Sequence, residues 1–142
     1  MRWLWEYEPL ELAGYIPDFI VRFPAAQLLI EVKPELVVSD MRRHTRKINE
    51  SQWCDEALIL GAFFDYPIGL FRETYPDGVK EWNDAYFFLC ECGEYSPYSD
   101  CGCWACRANG CYDGNGHMQT GGEELAARWK EAGNATQWRP AQ

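Results

Sequence analysis

The chain has no apolar run approaching the roughly 20 residues of a membrane span. Its opening residues, Met1-Arg2-Trp3-Leu4-Trp5-Glu6, lack the apolar stretch of a secretory leader. Both absences point away from membranes and toward the cytoplasm. No glycine-rich phosphate loop is present, which excludes nucleoside triphosphate hydrolysis of the P-loop kind. Histidine is scarce, and neither His44 nor His117 stands in a nucleophile or triad context. Repeats and low-complexity tracts are missing too. Positive charge is in short supply: 13 Lys and Arg face 22 Asp and Glu, for a net charge of −9.

What is present is a packed globule. Apolar residues make up 47% and aromatics 15% of the chain, too much for disorder. A length of 142 residues allows one modest core with a small appended module. We divide it into a core over 1–89, a cysteine-rich module over 90–120, and a C-terminal helix and tail over 121–142 that dock on the core.

The most informative stretch is Tyr15-Ile16-Pro17-Asp18-Phe19, followed by Leu29-Ile30-Glu31-Val32-Lys33-Pro34. Residues 19–22 and 28–32 are rich in β-branched and apolar types, and Pro24-Ala25-Ala26 separates them as a turn. An antiparallel pair centred on Pro24 and Ala25 sets Asp18 roughly opposite Glu31. Opposed residues share a sheet face, as do residues two apart on one strand. Asp18, Glu31 and Lys33 therefore converge, while Ile30 and Val32 point to the other face, toward a core. Mg²⁺ takes hard oxygen ligands and keeps several waters, so one or two carboxylates and a substrate phosphate suffice to hold it. A nearby lysine can orient a water or balance developing negative charge. The bland alternative is a surface hairpin with a Glu–Lys pair.

Pro17-Asp18 with Glu31-Val32-Lys33 resembles the signature of the PD-(D/E)XK nuclease superfamily. The longer string from Trp5-Glu6-Tyr7-Glu8-Pro9 to Pro34 is similar to small phage-encoded members and to TnsA-type transposon endonucleases. The resemblance covers residues 5–62. It implies an α/β (α+β) fold: a restriction-endonuclease-like mixed sheet carrying the site on a β-hairpin. It also implies DNA as substrate, Asp18 and Glu31 as ligands of Mg²⁺ or Mn²⁺, and Lys33 as the catalytic lysine. Relatives carry a helix ahead of the first strand whose glutamate completes the metal site. Only four residues precede Trp5, so Glu6 or Glu8 is one substitute, with a gene start further upstream or a weakened site as the alternatives. Double-strand cleavage by such an enzyme calls for two active sites, hence a homodimer or a partner subunit.

A net negative chain is an awkward DNA binder, because phosphate neutralisation dominates affinity. One segment softens the conflict: between Asp40 and Lys47, Arg42, Arg43, Arg46 and Lys47 stand against one acid. The sequence predicts a helix there, capped by Ser39 or Asp40 and running to about residue 51. It offers a surface for the DNA backbone, or else a solvated face.

Residues 57–62 form an apolar run that fits a buried strand parallel to an earlier one after a helical crossover. Residues 68–72 and 82–90 give two more strands, with Tyr75-Pro76-Asp77-Gly78 as the turn between them. Six of the seven cysteines then fall within residues 90–111. In a reducing compartment this spacing favours metal thiolates over disulfides. A zinc-ribbon-like module follows, with four of Cys90, Cys92, Cys103, Cys106 and Cys111 holding Zn²⁺ and His117 as a spare ligand. Two zincs with bridging thiolates are one alternative, and an iron–sulfur cluster, by resemblance to some CRISPR-associated exonucleases of the superfamily, is another. Too few apolar residues lie between 91 and 121 for a separate core, so ligation would supply the folding energy. Trp104 and Tyr112 are expected to pack on the main sheet rather than join Arg107 in stacking on nucleic acid. Cys54, apart from the cluster, reads as a small buried residue. Leu125, Trp129 and Ala132 are at helical spacing, with Gly133 as a C-cap.

Overall fold

The computed structural model describes residues 4–7, 11–23, 26–61, 67–90, 95–99, 102–104, 118–119, 123, 126–128 and 130–131. Alternation along its strands decides the layering. On β3 (Gln27–Val32), Leu29 enters one core cluster while Leu28 and Ile30 enter another, as a period of two requires. One face is covered by a helical crossover: α1 (Val38–Met41), a 3-10 turn (Arg42–His44) and α2 (Thr45–Glu50). Met41 and Ile48 point down from it onto Ile20, Leu29, Ile59 and Leu70. On the other face Trp104 closes over Val21, Phe23, Ile30 and Phe71. Its ring meets that of Phe23 edge-on, with centroids 4.2 Å apart, so Trp104 does pack against the main sheet.

The fold is mixed α+β. In the sheet, β1 (Leu4–Tyr7) pairs antiparallel with β2 (Phe19–Arg22), and β2 with β3. The crossover then returns the chain to β4 (Glu56–Leu60), which lies parallel to β3. Two antiparallel neighbours follow, β5 (Gly69–Thr74) and β6 (Lys80–Cys90). The Tyr75–Gly78 turn joins them, with Gly78 at φ +84° and its N–H donating to the Tyr75 carbonyl at 2.9 Å. The first half of β6 pairs with β5; the second half pairs with β7 (Tyr95–Ser99) and, at its end, with β9 (Met118–Gln119). The short β8 (Gly102–Cys103) pairs with β7. Gly69 has a steric reason: a Cβ there would run into the main-chain carbonyl of Ile59 on the neighbouring strand.

Three expectations need correction. The helix is not one unit capped by Ser39 or Asp40; it starts behind Val37, with no side-chain cap, and tightens into the 3-10 turn at Arg42–His44. Val32 is not in the core: β3 ends there and the side chain is exposed. Cys54 is exposed, not buried; its neighbour Trp53 is buried, the indole N–H donating to the Glu56 carbonyl at 2.9 Å.

Of the C-terminal helix, residues 123, 126–128 and 130–131 are helical; Leu125, Trp129, Ala132 and Gly133 lie outside the described residues. Among the described residues, no helix is long and apolar enough to cross a membrane.

Candidate active site

The β2–β3 hairpin closes with the Phe23 N–H donating to the Ala26 carbonyl at 2.9 Å, and its register pairs Phe19 with Ile30. One step further along, Asp18 and Glu31 meet. The Asp18 N–H reaches Glu31 Oε2 at 3.3 Å, and Asp18 Oδ2 accepts the Val32 N–H at 2.7 Å. Lys33, two residues on along the chain, extends the parallel ladder through its N–H to the Leu60 carbonyl at 2.8 Å. Its ammonium forms an ion pair with Glu31 Oε1. Asp18, Glu31 and Lys33 thus lie together on the face that carries the crossover.

Tyr15 joins them. Its hydroxyl donates to Glu31 Oε2 at 2.5 Å within a buried contact. Burial, and the carboxylates of Glu31 and Asp18, push the phenol well above its ordinary range, so it stays a donor. Sequence reasoning missed this residue. The signal available was Ala13-Gly14 before it, where both residues have positive φ, +49° and +81°. This two-residue turn ties Leu12 to Tyr15 through reciprocal backbone hydrogen bonds of 2.6 and 3.0 Å.

These groups line an open cleft of about 570 Å³, together with Lys47, Glu50 and Ser51 from the end of the crossover. Of the four carboxylate oxygens, Asp18 Oδ1 is the one with no hydrogen bond or ion pair among the described residues. Two carboxylates in contact offer the hard oxygen donors that Mg²⁺ or Mn²⁺ takes, with waters and a phosphate filling the remaining positions. Among the described residues, no group of three or more His, Cys, Asp or Glu side chains is placed to hold a metal ion.

Glu6, one of the two glutamates considered for completing the metal site, is occupied elsewhere. Both its oxygens accept from Arg22, at 2.8 and 3.1 Å, and the guanidinium holds the Glu6 carboxyl below its usual range. Glu8 lies outside the described residues.

The arginines of the crossover, expected either as a surface for the DNA backbone or as a solvated face, are exposed, and each has an acid nearby. Arg42 lies 3.6 Å from Asp84, Arg43 2.5 Å from Glu35, and Arg46 2.7 Å from Glu50. Lys47 has no ion pair among the described residues and faces the cleft. Glu35 was also unforeseen. It is buried, and His44 Nε2 at 2.6 Å and Arg43 hold its carboxyl down to about 2.

Compared with known protein families, with curated proteins and with solved structures, the chain has no match. The site therefore rests on its own geometry.

Of the cysteine ligands expected for zinc, Cys90 is the last residue of β6 and Cys103 lies on β8, paired with Tyr98. Cys92, Cys101, Cys106, Cys111 and His117 lie outside the described residues.

Proposed function

We propose that the protein is a metal-dependent DNA endonuclease of the PD-(D/E)XK type, hydrolysing phosphodiester bonds on a restriction-endonuclease-like core with an appended zinc-ribbon-like module. The observation that carries this reading is the meeting of Asp18, Glu31 and Lys33 in one open cleft, on a hairpin followed by a helical crossover to a parallel strand. Asp18 and Glu31 would hold Mg²⁺ or Mn²⁺. Such an ion, when bound, polarises water and offsets phosphate charge. The chain itself supplies the rest. Asp18 is fixed by the Val32 N–H and Glu31 by Tyr15 and the Asp18 N–H, so the ligand oxygens are set before substrate arrives. The Lys33 ammonium brings a positive charge to the phosphoryl oxygens or the attacking water. Lys47, exposed on the cleft wall, is placed for a flanking phosphate.

The test is cleavage of plasmid, linear and branched DNA with Mg²⁺ or Mn²⁺, beside Asp18→Ala. Cutting by wild type that the variant loses supports the reading; equal cutting by both would assign the activity to a contaminant. Zinc analysis should return about one equivalent, released by chelation with loss of structure in the cysteine-rich region.

A second reading is a catalytically degenerate nuclease fold that binds DNA or a protein partner. The engagement of Glu6 by Arg22 and the neutralised arginines favour it. DNA retention by wild type with no cleavage under any divalent cation would select it. If cleavage is double-stranded, a homodimer or a partner subunit must supply the second site, which sedimentation of the active species would reveal.

A further inference from the structure

We propose that Tyr15 is a positioning residue, braced by the turn over Leu12–Tyr15, whose hydroxyl fixes the Glu31 carboxylate in the orientation that a divalent cation needs. The inference rests on the metal-dependent reading of the cleft. Three observations carry it. First, the hydroxyl and Glu31 Oε2 are 2.5 Å apart, a short bond between buried partners sixteen positions apart in the chain. A hydrogen bond to an ionised acceptor is among the strongest a side chain makes. With Oε2 held by Tyr15 and the Asp18 N–H, the carboxylate cannot rotate, and Oε1 stays turned toward Lys33.

Second, the turn that delivers Tyr15 is strained. Both central residues have positive φ, and the first of them is an alanine, at +49°. An L residue with a Cβ is disfavoured there, and such strain persists where the surroundings over-determine it, often beside a functional site. Third, the turn itself borders the cleft: Ala13 and Gly14 line it with Tyr15, Asp18 and Glu31. An anchor needed only for packing would have no reason to reach a carboxylate, since the Tyr15 ring is already seated against the helix-side core with Ile20 and Leu29. Partners that orient a metal ligand through its second oxygen commonly govern affinity for the ion as much as direct ligands do.

The test uses the full chain and titrates Mn²⁺ calorimetrically into wild type, Tyr15→Phe and Asp18→Ala. Binding that Asp18→Ala loses defines the cleft. All arms contain trimethylamine N-oxide, so that a destabilised variant remains folded, and a urea transition on each verifies it. Tyr15→Phe is expected to bind Mn²⁺ about tenfold more weakly or worse at the cleft. A tyrosine of merely structural value would lower the urea midpoint and leave that affinity alone. Matched affinities in folded wild type and Tyr15→Phe would overturn the proposal. A wild type that binds no Mn²⁺ lost in Asp18→Ala would instead overturn the metallonuclease reading, and the brace with it.

Discussion

Lys33 and Glu31 form an ion pair from two positions on one strand end, and the ammonium lies on the carboxylate oxygen that Tyr15 leaves free. On the proposed metal-dependent reading, a divalent cation entering the cleft would have to share Glu31 with this lysine. Replacing it separates two effects. Lys33→Met should cut DNA about 10²–10³-fold more slowly, the usual cost of removing a charge that stabilises the transition state. It should also bind Mn²⁺ more tightly than wild type, because a competing positive charge is gone. Cleavage rates and calorimetry on the same preparation check both, and weaker Mn²⁺ binding would show that Lys33 does not compete.

Lys47 and the three arginines of the crossover should differ in how they affect DNA binding. Each arginine already faces an acid, while Lys47 faces the cleft. Counterion release counts the phosphates actually neutralised. Lys47→Ala should therefore reduce the slope of log affinity against log salt by about one. Arg42→Ala, Arg43→Ala and Arg46→Ala should leave the slope near that of wild type. Fluorescence anisotropy with catalytically inert Asp18→Ala as background supplies the measurement.

Glu35 should make stability fall in acid. Its folded carboxyl is held at about 2 by His44 and Arg43, below the ordinary 4.5. The unfolded chain then binds the proton more readily, so the contribution is complete above about pH 4.5 and is lost as pH falls toward 2. Urea midpoints measured across that window should decline in wild type. In Glu35→Gln that part of the decline should vanish. Added salt should shrink the effect, because Arg43 is largely exposed.

Ala13 should be improvable. An alanine at φ +49° carries a steric cost that glycine avoids. Ala13→Gly is expected to stabilise the fold by about 1 kcal/mol, read as a higher urea midpoint with unchanged slope. A fall in the midpoint would mean that the turn relaxes in solution.

Gly69 should not be. A methyl there meets the Ile59 carbonyl on β4, main chain that cannot swing aside. Gly69→Ala should cost about 1–3 kcal/mol, as overpacking usually does, seen in thermal and urea unfolding alike.

Much of this arrangement was legible in the residues. Alternation in 28–32 and the turn at 24–26 were enough for the hairpin register, and that register carries Asp18 to Glu31. The apolar run at 57–62 pointed to a buried strand parallel to an earlier one, and β4 does lie parallel to β3. Other features depend on partners remote in the chain. Nothing near Arg42 announces Asp84, which reaches it from β6. The Tyr15 contact depends on a left-handed backbone at Ala13, which alanine does not announce. Cys54 is exposed beside a buried Trp53, a difference between neighbours that composition does not reveal.

Strand β6 belongs to two neighbourhoods at once. Residues 80–85 are stitched to β5, and residues 86–90 to β7 and β9. One unbroken strand carries both sets of pairings, so a substitution at its middle, at Ala85 or Tyr86, touches both neighbourhoods together.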